Sequence, residues 1–422
     1  MFNKIIVKYI DNEKTREFRK YDLSAIQKIF TLIGSPHLRV KTVHIAGTNG
    51  KGTTANLLNS LLTNSGIKTG LFTSPHLIHY NERIKINSNN ISDAELDKYA
   101  SYIDKVITEN CITATFFDIL TAMALKYFHD KNVEIAIIET GLGGRLDSTN
   151  IISPELSIIT KISRDHTNIL GNTVDEIVSE KCGIIKKFIP VITNNRDERI
   201  LSKIASVSTE KSAPLSWEGR DYSYTLQDIN QHGMSFTYDH QKLGLELKTY
   251  LVQRHQLQNV SLSITAYLML LKQLKITPDM DIIESTVRCF NIKGRFQKTN
   301  DQPLVYYDVA HNFDSLNALF NTVDELFSSH KVIFIISLLK DKVTDEIKKL
   351  LTHRKKNIIY LMSDEDKCYK PDSGLFEVYT DKNELFCFLS KECSEKSIFI
   401  FTGTFRLYEI MNGIIRKLNY DK

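Results

Sequence analysis

The sequence predicts an α/β protein of two domains, each built on a mostly parallel sheet. Three observations carry this. A β-branched run, Thr42-Val-His-Ile-Ala46, passes through a glycine-rich turn into a helix-like segment, Ala55-Asn-Leu-Leu-Asn-Ser-Leu-Leu62. Strands of buried type then alternate with helical patterns along the first half, which implies parallel pairing with helices on both faces. A second alternation begins near residue 293, and 422 residues exceed what one ordinary core organises.

Taken in order, residues 24–33 have helical apolar spacing, with Ser24 as an N-cap. The turn after Ala46 holds three glycines, Gly47, Gly50 and Gly52, with Lys51 among them and Thr53 and Thr54 behind. Backbone N–H groups at such a turn and the positive end of the following helix suit a phosphate. Lys51 then reaches the terminal phosphates, and Thr53 or Thr54 offers a hydroxyl to magnesium. The standard P-loop spacing is absent: Ile45 stands where the first glycine belongs, and Gly52 separates Lys51 from Thr53. A purely structural glycine turn is the competing reading.

Further on, Lys68–Pro75 reads as a strand, Thr115–Asp130 as a helix, and Val133–Glu139 and Leu156–Ile162 as buried strands. Ligands of such sheets gather beyond the carboxyl ends of the strands, which puts Ser74, Glu139 and the loop Ser163–His166 on the edge that carries the glycine turn. Residues 215–250 alternate and suggest a small antiparallel insertion. In the second half, strands are expected at Leu304–Val309, Val332–Ser337, Asn357–Met362 and Ile398–Thr402, and a last helix at Arg406–Leu418. The division falls at 1–292 and 293–422, with the site expected in the cleft between them.

Composition narrows the class. The chain is 42% hydrophobic and 25% charged with a net charge of +4, and no arginine-rich arm or lysine block marks a nucleic-acid partner. Its six cysteines form no C-x-x-C pair, so neither a zinc knuckle nor a disulfide framework is indicated. The N-terminal apolar run is too short for a signal peptide, and no stretch reaches membrane-spanning length. A cytoplasmic protein with reduced thiols and no membrane partner is expected.

Several polar residues stand at strand ends. Glu139 either faces bound phosphates or caps the next loop. The segment 141–150 lets the backbone approach a ligand, with Asp147 as an acceptor for ligand N–H groups. His166 is either a metal ligand or a surface loop residue. Asp308 and His311 either receive a second substrate or hold a loop network. Lys181, placed early in a helix, passes as an exposed lysine on its own.

Together these motifs resemble the Mur ligase superfamily, and within it the folylpolyglutamate synthase and dihydrofolate synthase family. The resemblance runs from about Leu23 to about Arg406, through Ala-Gly-Thr-Asn-Gly-Lys-Gly-Thr (46–53), Thr-Ser-Pro-His-Leu (73–77), Asn-Glu-Arg-Ile (81–84) and Glu-Thr-Gly-Leu-Gly-Gly-Arg-Leu-Asp-Ser-Thr-Asn (139–150). It continues with Asp-His-Thr (165–167), Glu-Lys-Cys-Gly-Ile-Ile (180–185), Gly-Arg-Phe (294–296) and Asp-Val-Ala-His-Asn (308–312). It implies a Mur-ligase-type P-loop ATPase domain followed by a smaller Rossmann-like α/β domain. The implied activity is ATP-dependent amide formation: a folate-type carboxylate takes the γ-phosphate of ATP, and L-glutamate displaces it.

By the same resemblance, Thr48, Asn49, Gly50, Lys51, Gly52 and Thr53 hold the ATP phosphates, while Ser74, Glu139 and His166 ligate Mg2+. Lys181 looks like the family lysine that becomes carbamylated, against its reading as an exposed residue. Asn259 corresponds to the adenine side, Arg295 and Asp308 touch ATP, and His311 meets glutamate or the acyl phosphate. Thr115, Phe116, Phe117, Asp118, Leu146, Asp147 and Ser148 resemble the pterin pocket, with Phe117 as stacking partner. Asp118 stands where the family often has glutamate, and Phe313 where proline is usual after His311-Asn312. The 143–150 form looks like dihydrofolate synthases and bifunctional bacterial enzymes, so glutamate addition to dihydropteroate and further glutamylation of folates by a monomer are expected. One of the two activities alone is the alternative. A cell-wall Mur ligase would carry a further N-terminal domain, whereas about 40 residues precede the glycine turn here. A non-catalytic nucleotide-binding module would need neither Lys181 nor His311.

Overall fold

The computed structural model describes residues 2–15, 22–364, 366–372, 374–394 and 396–420. The chain forms two compact units: Met1–Gln227 with Ser235–Thr249 and Gln256–Phe290, and Asp228–Met234 with Tyr250–His255 and Asn291–Lys422.

In the first unit, strands β1 (Lys41–Ala46), β2 (Thr69–Phe72), β3 (Ile84–Ile86), β4 (Asn89–Asn90), β5 (Ile135–Glu139), β6 (Leu156–Ile159), β7 (Val191–Thr193) and β8 (Leu215–Trp217) form one sheet. Their order is β4-β3-β2-β5-β1-β6-β7-β8. Pairing is parallel from β2 through β8, and β3 and β4 add an antiparallel edge. Strand β5 is buried at every position, as a strand covered on both faces must be. The order of strand addition reverses about β1: the connection after it leads outward to β2, and β6 is added on its other side. Such a switch point opens a crevice at the carboxyl end of β1, where the glycine turn begins.

The expected elements are present with bounds shifted by a few residues at one or both ends. The strand expected over Leu156–Ile162 stops at Ile159 because the Asn195 side chain accepts from the Ile162 amide (2.9 Å) and donates to the Thr160 carbonyl (3.0 Å). Ser24 is not an N-cap. It is the first residue of the helix Ser24–Leu32, and Asp22 Oδ1 takes its amide (2.9 Å). The antiparallel insertion is narrower than 215–250: Leu215–Trp217 runs parallel to β7 in the main sheet. Strands β9 (Tyr222–Asn230), β10 (Gly233–His240) and β11 (Leu243–Thr249) make a separate three-stranded sheet.

Helices Asp93–Glu109 and Phe116–Asp130 join residues of β2 and β5 in one large apolar cluster. A second cluster joins Ala46, Ile159 and Val191 to the helices Val174–Cys182 and Glu198–Glu210. The helix after the glycine turn, Lys51–Asn64, lies along Gln256–Leu274, with Ser263 Oγ donating to the Thr54 carbonyl (3.3 Å).

The second unit holds β12 (Gln297–Asp301), β13 (Leu304–Asp308), β14 (Lys331–Ile336), β15 (Ile358–Leu361), β16 (Glu377–Tyr379) and β17 (Ser397–Thr402), in the order β12-β13-β17-β14-β15-β16. Only β12 is antiparallel among the described pairings. The four strands expected from the sequence are the apolar interior. Edge strand β12 is polar and half exposed, and edge strand β16, Glu377-Val378-Tyr379, is short and mostly exposed, so neither shows a long buried apolar run.

His44 sits inside β1, fully buried, with Nε2 2.8 Å from Thr149 Oγ1. Burial, and then the nearby Lys186 ammonium, push its pKa down from 6.5 to about 3. The unfolded chain therefore binds a proton that the native chain refuses between those values, and stability falls as pH drops through that window. The steepest slope is about 1.4 kcal/mol per pH unit. Urea unfolding across the window is expected to show a shallower acid loss for His44→Gln than for the parent chain. Equal slopes would sink this assignment.

Candidate active site at the phosphate loop

Glycine is required at two positions of the turn. Gly47 has φ +149, and a Cβ there would lie 1.8 Å from Thr160 Oγ1. Gly50 has φ +96, and a Cβ would lie 2.2 Å from Asn259 Oδ1. Gly52 is already helical, and a Cβ on it would make only ordinary contact, 3.9 Å from Glu139 Oε2. The departure from P-loop spacing thus reflects where neighbouring side chains press on the loop.

The loop is stapled to the segment after β6. Thr48 and Asn49 amides both donate to the Lys161 carbonyl (2.9 and 3.1 Å), Thr48 Oγ1 donates to the Ser163 carbonyl (3.0 Å), and Asn49 Nδ2 donates to Ser163 Oγ (3.2 Å). Those two amides shape the loop. The donors that a helix start leaves over belong to Lys51, Gly52 and Thr53.

Two lysines converge on one carbonyl. Lys51 Nζ lies 3.1 Å from Gly47 O, and Lys181 Nζ lies 2.8 Å from the same oxygen. Lys181 is therefore neither exposed nor early in its helix: it occupies the last turn of Val174–Cys182 and is 4% exposed. A cation is better placed at that end of a helix. Burial first, and Lys51 second, lower its pKa from 10.5 to about 7.

Ser74 and Glu139 are brought together, the Ser74 amide donating to Glu139 Oε2 (3.2 Å) at the carboxyl end of β5. The Thr53 hydroxyl is buried without a partner. His166, at φ +50, starts the short helix Thr167–Leu170 on the loop after β6, with Nε2 3.9 Å from Asp165 Oδ1. Among the described residues, no cluster of three or more His, Cys, Asp or Glu is shaped for a metal.

The two groups expected around a pterin also meet. Thr115 caps the helix Phe116–Asp130, and Asp118 Oδ2 accepts from the Thr115 amide and hydroxyl (both 2.8 Å). Asp118 Oδ1 accepts from Ser148 Oγ (2.6 Å), which ties that helix start to the loop holding Leu146. Asp147 does not present free acceptors: Oδ2 takes the Leu142 amide (2.8 Å), and Oδ1 takes the Thr149 amide (3.0 Å) and hydroxyl. Its carboxylate folds the glycine-rich segment upon itself. Phe117 packs on Phe72 at 5.7 Å, and a Cβ on Gly141 would strike its ring at 2.6 Å. Phe116 faces Tyr80 at 5.9 Å, with the Arg83 guanidinium 5.5 Å away. Sequence reasoning quoted Arg83 in a motif but gave it no role; its link to His76 Nδ1 (2.9 Å) and to two rings is visible only in space.

Asn259 Nδ2 donates to Gln256 Oε1 (3.0 Å), and its Oδ1 faces Asn194 Nδ2 (3.5 Å).

In the second unit, Asp308 ends β13, and Oδ2 takes the Phe296 amide (2.7 Å) and Gln253 Nε2 (3.2 Å), while Oδ1 takes the Ala310 amide (2.8 Å). Burial raises its pKa, and the Arg295 charge works against that rise. His311 Nδ1 faces the Val309 carbonyl at 2.8 Å, so Nδ1 carries a proton and donates to that oxygen. Asn312 caps the helix Phe313–Leu326, its side chain accepting from the Ser315 amide (3.0 Å). Phe313 thereby takes the first helical position, where proline also fits.

Known proteins resemble this chain in sequence and fold. Residues 45–267 match the Mur ligase middle domain and residues 294–403 the Mur ligase glutamate ligase domain. The chain is 34% identical over 329 residues to dihydrofolate synthase/folylpolyglutamate synthase of Bacillus subtilis, covering 76% of each. It is 31% identical over 412 residues to the protein of that name from Buchnera aphidicola subsp. Schizaphis graminum, covering 94% of this chain and 93% of the other. The solved apo form of L. casei folylpolyglutamate synthase superposes with a TM-score of 0.85 at 27% identity, covering 96% and 97% of the two chains. A complex of folylpolyglutamate synthase with AMPPCP and folate gives 0.84 at 26% identity over 98% and 99%. The chain belongs to the Mur ligase superfamily and, within it, to the dihydrofolate synthase/folylpolyglutamate synthase family.

Proposed function

We propose that this chain is an ATP-dependent ligase that joins L-glutamate to dihydropteroate and adds further glutamates to reduced folates. The observation that carries this is the pair of lysines on the Gly47 carbonyl, at the head of a helix whose first amides face outward. Lys51 and the N–H groups left over at the helix start, gathered at one strand end, suit a polyphosphate that must be approached by another anion.

The substrate carboxylate attacks the γ-phosphorus, forming a new O–P bond while the bond to ADP breaks. Lys51 offsets the charge gathered on the phosphates during this step. The glutamate amine then attacks the acyl carbon, the C–N bond forms, phosphate leaves, and the amine gives up a proton. In the second unit we assign His311 Nε2 to that proton, and Arg295 and Asp308 to ATP. In the first unit, Phe116, Phe117 and Leu146 supply the apolar walls for the pterin, and Thr115, Asp118, Asp147 and Ser148 hold those walls in place.

The residues present fit magnesium. A buried Thr53 hydroxyl lacks a partner, and the Glu139 carboxylate lies beside the first turn of the same helix. Oxygen donors few in number suit an ion that keeps several waters. Ser74, Glu139 and His166 would hold it, and it would neutralise phosphate charge when bound. Lys181, with its pKa lowered to about 7, is substantially unprotonated at neutral pH. Its neutral amine can add to carbon dioxide, forming an N–C bond and releasing one proton, and the resulting carbamate exchanges a cation for an anion beside the phosphates. The six cysteines are free thiols, in keeping with a cytoplasmic enzyme.

Phosphate release is expected with ATP, glutamate and dihydropteroate together, and glutamate incorporation also with a tetrahydrofolate. Absence of turnover with every pteroate and folate overturns the proposal. Lys51→Met is expected to lower kcat/KM by about 100-fold or more with the fold retained, measured by phosphate release and thermal unfolding. Incubation with isotopically labelled bicarbonate should give a carbamate carbon signal that grows as pH rises through about 7 and is missing in Lys181→Met. A signal of equal size in that variant would remove Lys181 from the scheme.

A further inference from the structure

His44 is a buried titratable group outside the reacting residues. It lies inside β1, fully buried, and among the described residues only its Nε2 has a hydrogen-bond partner. The direction of that bond follows from its neighbours. Both Asp147 oxygens accept, Oδ2 from the Leu142 amide and Oδ1 from the Thr149 amide and hydroxyl. The Thr149 hydroxyl thus spends its single proton on Asp147, and its oxygen can only accept from His44, so Nε2 carries the ring proton (2.8 Å). Nδ1 is left as a buried lone pair, which is costly. An apolar side chain in this apolar strand would avoid that cost, so the donor at Nε2 is what the position keeps.

Two consecutive residues of β1 tie both ends of the glycine-rich segment. The Thr140 amide donates to the Ile45 carbonyl (2.9 Å), and His44 reaches Thr149. Arg145 and Asn150 are held separately, the Arg145 amide by the Glu180 carbonyl (2.8 Å) and Asn150 Nδ2 by the Gly183 carbonyl (3.1 Å). Loss of the His44 donor therefore loosens residues 146–149 and leaves their flanks anchored. Leu146 and Ser148 lie in that stretch. The phosphate loop is fastened instead to Lys161 and Ser163, so ATP does not depend on this chain of bonds.

We propose that His44 is a positioning residue for the pterin: through Thr149 and Asp147, its Nε2–H sets the stretch that carries Leu146 and Ser148 against the substrate. This rests on the reading of that stretch as a pterin wall.

Steady-state phosphate release and amide hydrogen exchange on the whole chain test it. His44→Met, which fills the space without a donor, is expected to raise KM for dihydropteroate about tenfold, the scale of one buried hydrogen bond, with KM for ATP within about twofold. His44→Gln, which keeps an N–H donor on a side chain of similar reach, should restore most of the loss. Thr149→Val should match His44→Met, and the two together should lose no more than either alone, as members of one chain of bonds do. In His44→Met the Leu142 and Thr149 amides should exchange faster, while the Thr140 and Arg145 amides keep the parent rate. Equal rises in both KM values, a loss that His44→Gln leaves unrepaired, or an unchanged KM for dihydropteroate overturns the assignment. A folded parent chain that turns over no pteroate overturns the pterin reading, and the exchange rates then decide the His44 link by themselves.

Discussion

The Gly47 carbonyl is the point on which the first unit depends. One oxygen accepts from Lys51 in its own loop and from Lys181 in a helix more than a hundred residues away. That double contact needs a residue at φ +149 with no side chain, because Thr160 stands where a Cβ would go. It also brings two lysine amines together, Lys181 buried and Lys51 half-buried. The loss of hydration, and then the Lys51 charge, lower the Lys181 pKa to about 7, so it gives up its proton far more readily than an ordinary lysine. A triphosphate with its negative charge is the natural complement of Lys51 and the helix start behind it.

Around that point, carboxylates and amides hold loops rather than face solvent. Glu82 gathers the amides of Leu77, Ile78 and His79, and Asp147 closes the glycine-rich segment. Asp118 joins a helix start to that same segment, and Asn195 ends β6. Each acceptor satisfies amide or hydroxyl donors of the loop it holds. The rigid sheet edge is thereby extended into ordered loops that can carry a pocket. Asp308 does the same in the second unit, where Phe296, Ala310 and Gln253 surround it.

Much of this was legible in the residues. Glycines clustered after a β-branched run located the phosphate loop, and apolar runs located the interior strands, since both signals are local. Local signals misjudged Lys181 and Asp147. A lysine between Glu180 and Cys182 looks solvent-exposed until β1 is known to end beside it. An aspartate in a polar glycine loop looks ready for a ligand until the loop curls and supplies its own donors. His44 gave no signal at all, set as it is inside an apolar strand.

The sequence by itself determined the α/β class, the two alternating halves, the strand–turn–helix with its glycine-rich loop, and the family. These rest on periodicity, composition and contiguous motifs, which survive without knowledge of the fold. Tertiary structure alone decided which charges meet: Lys51 with Lys181 on one carbonyl, Ser74 with Glu139, Ser148 with Asp118, and Asn194 with Asn259. Those pairs are distant in the chain, and the sheet order β5-β1-β6-β7 is what sets their strand ends side by side. Burial then fixes their protonation and their hydrogen bonds, because removing water makes each unpaired charge or acceptor costly.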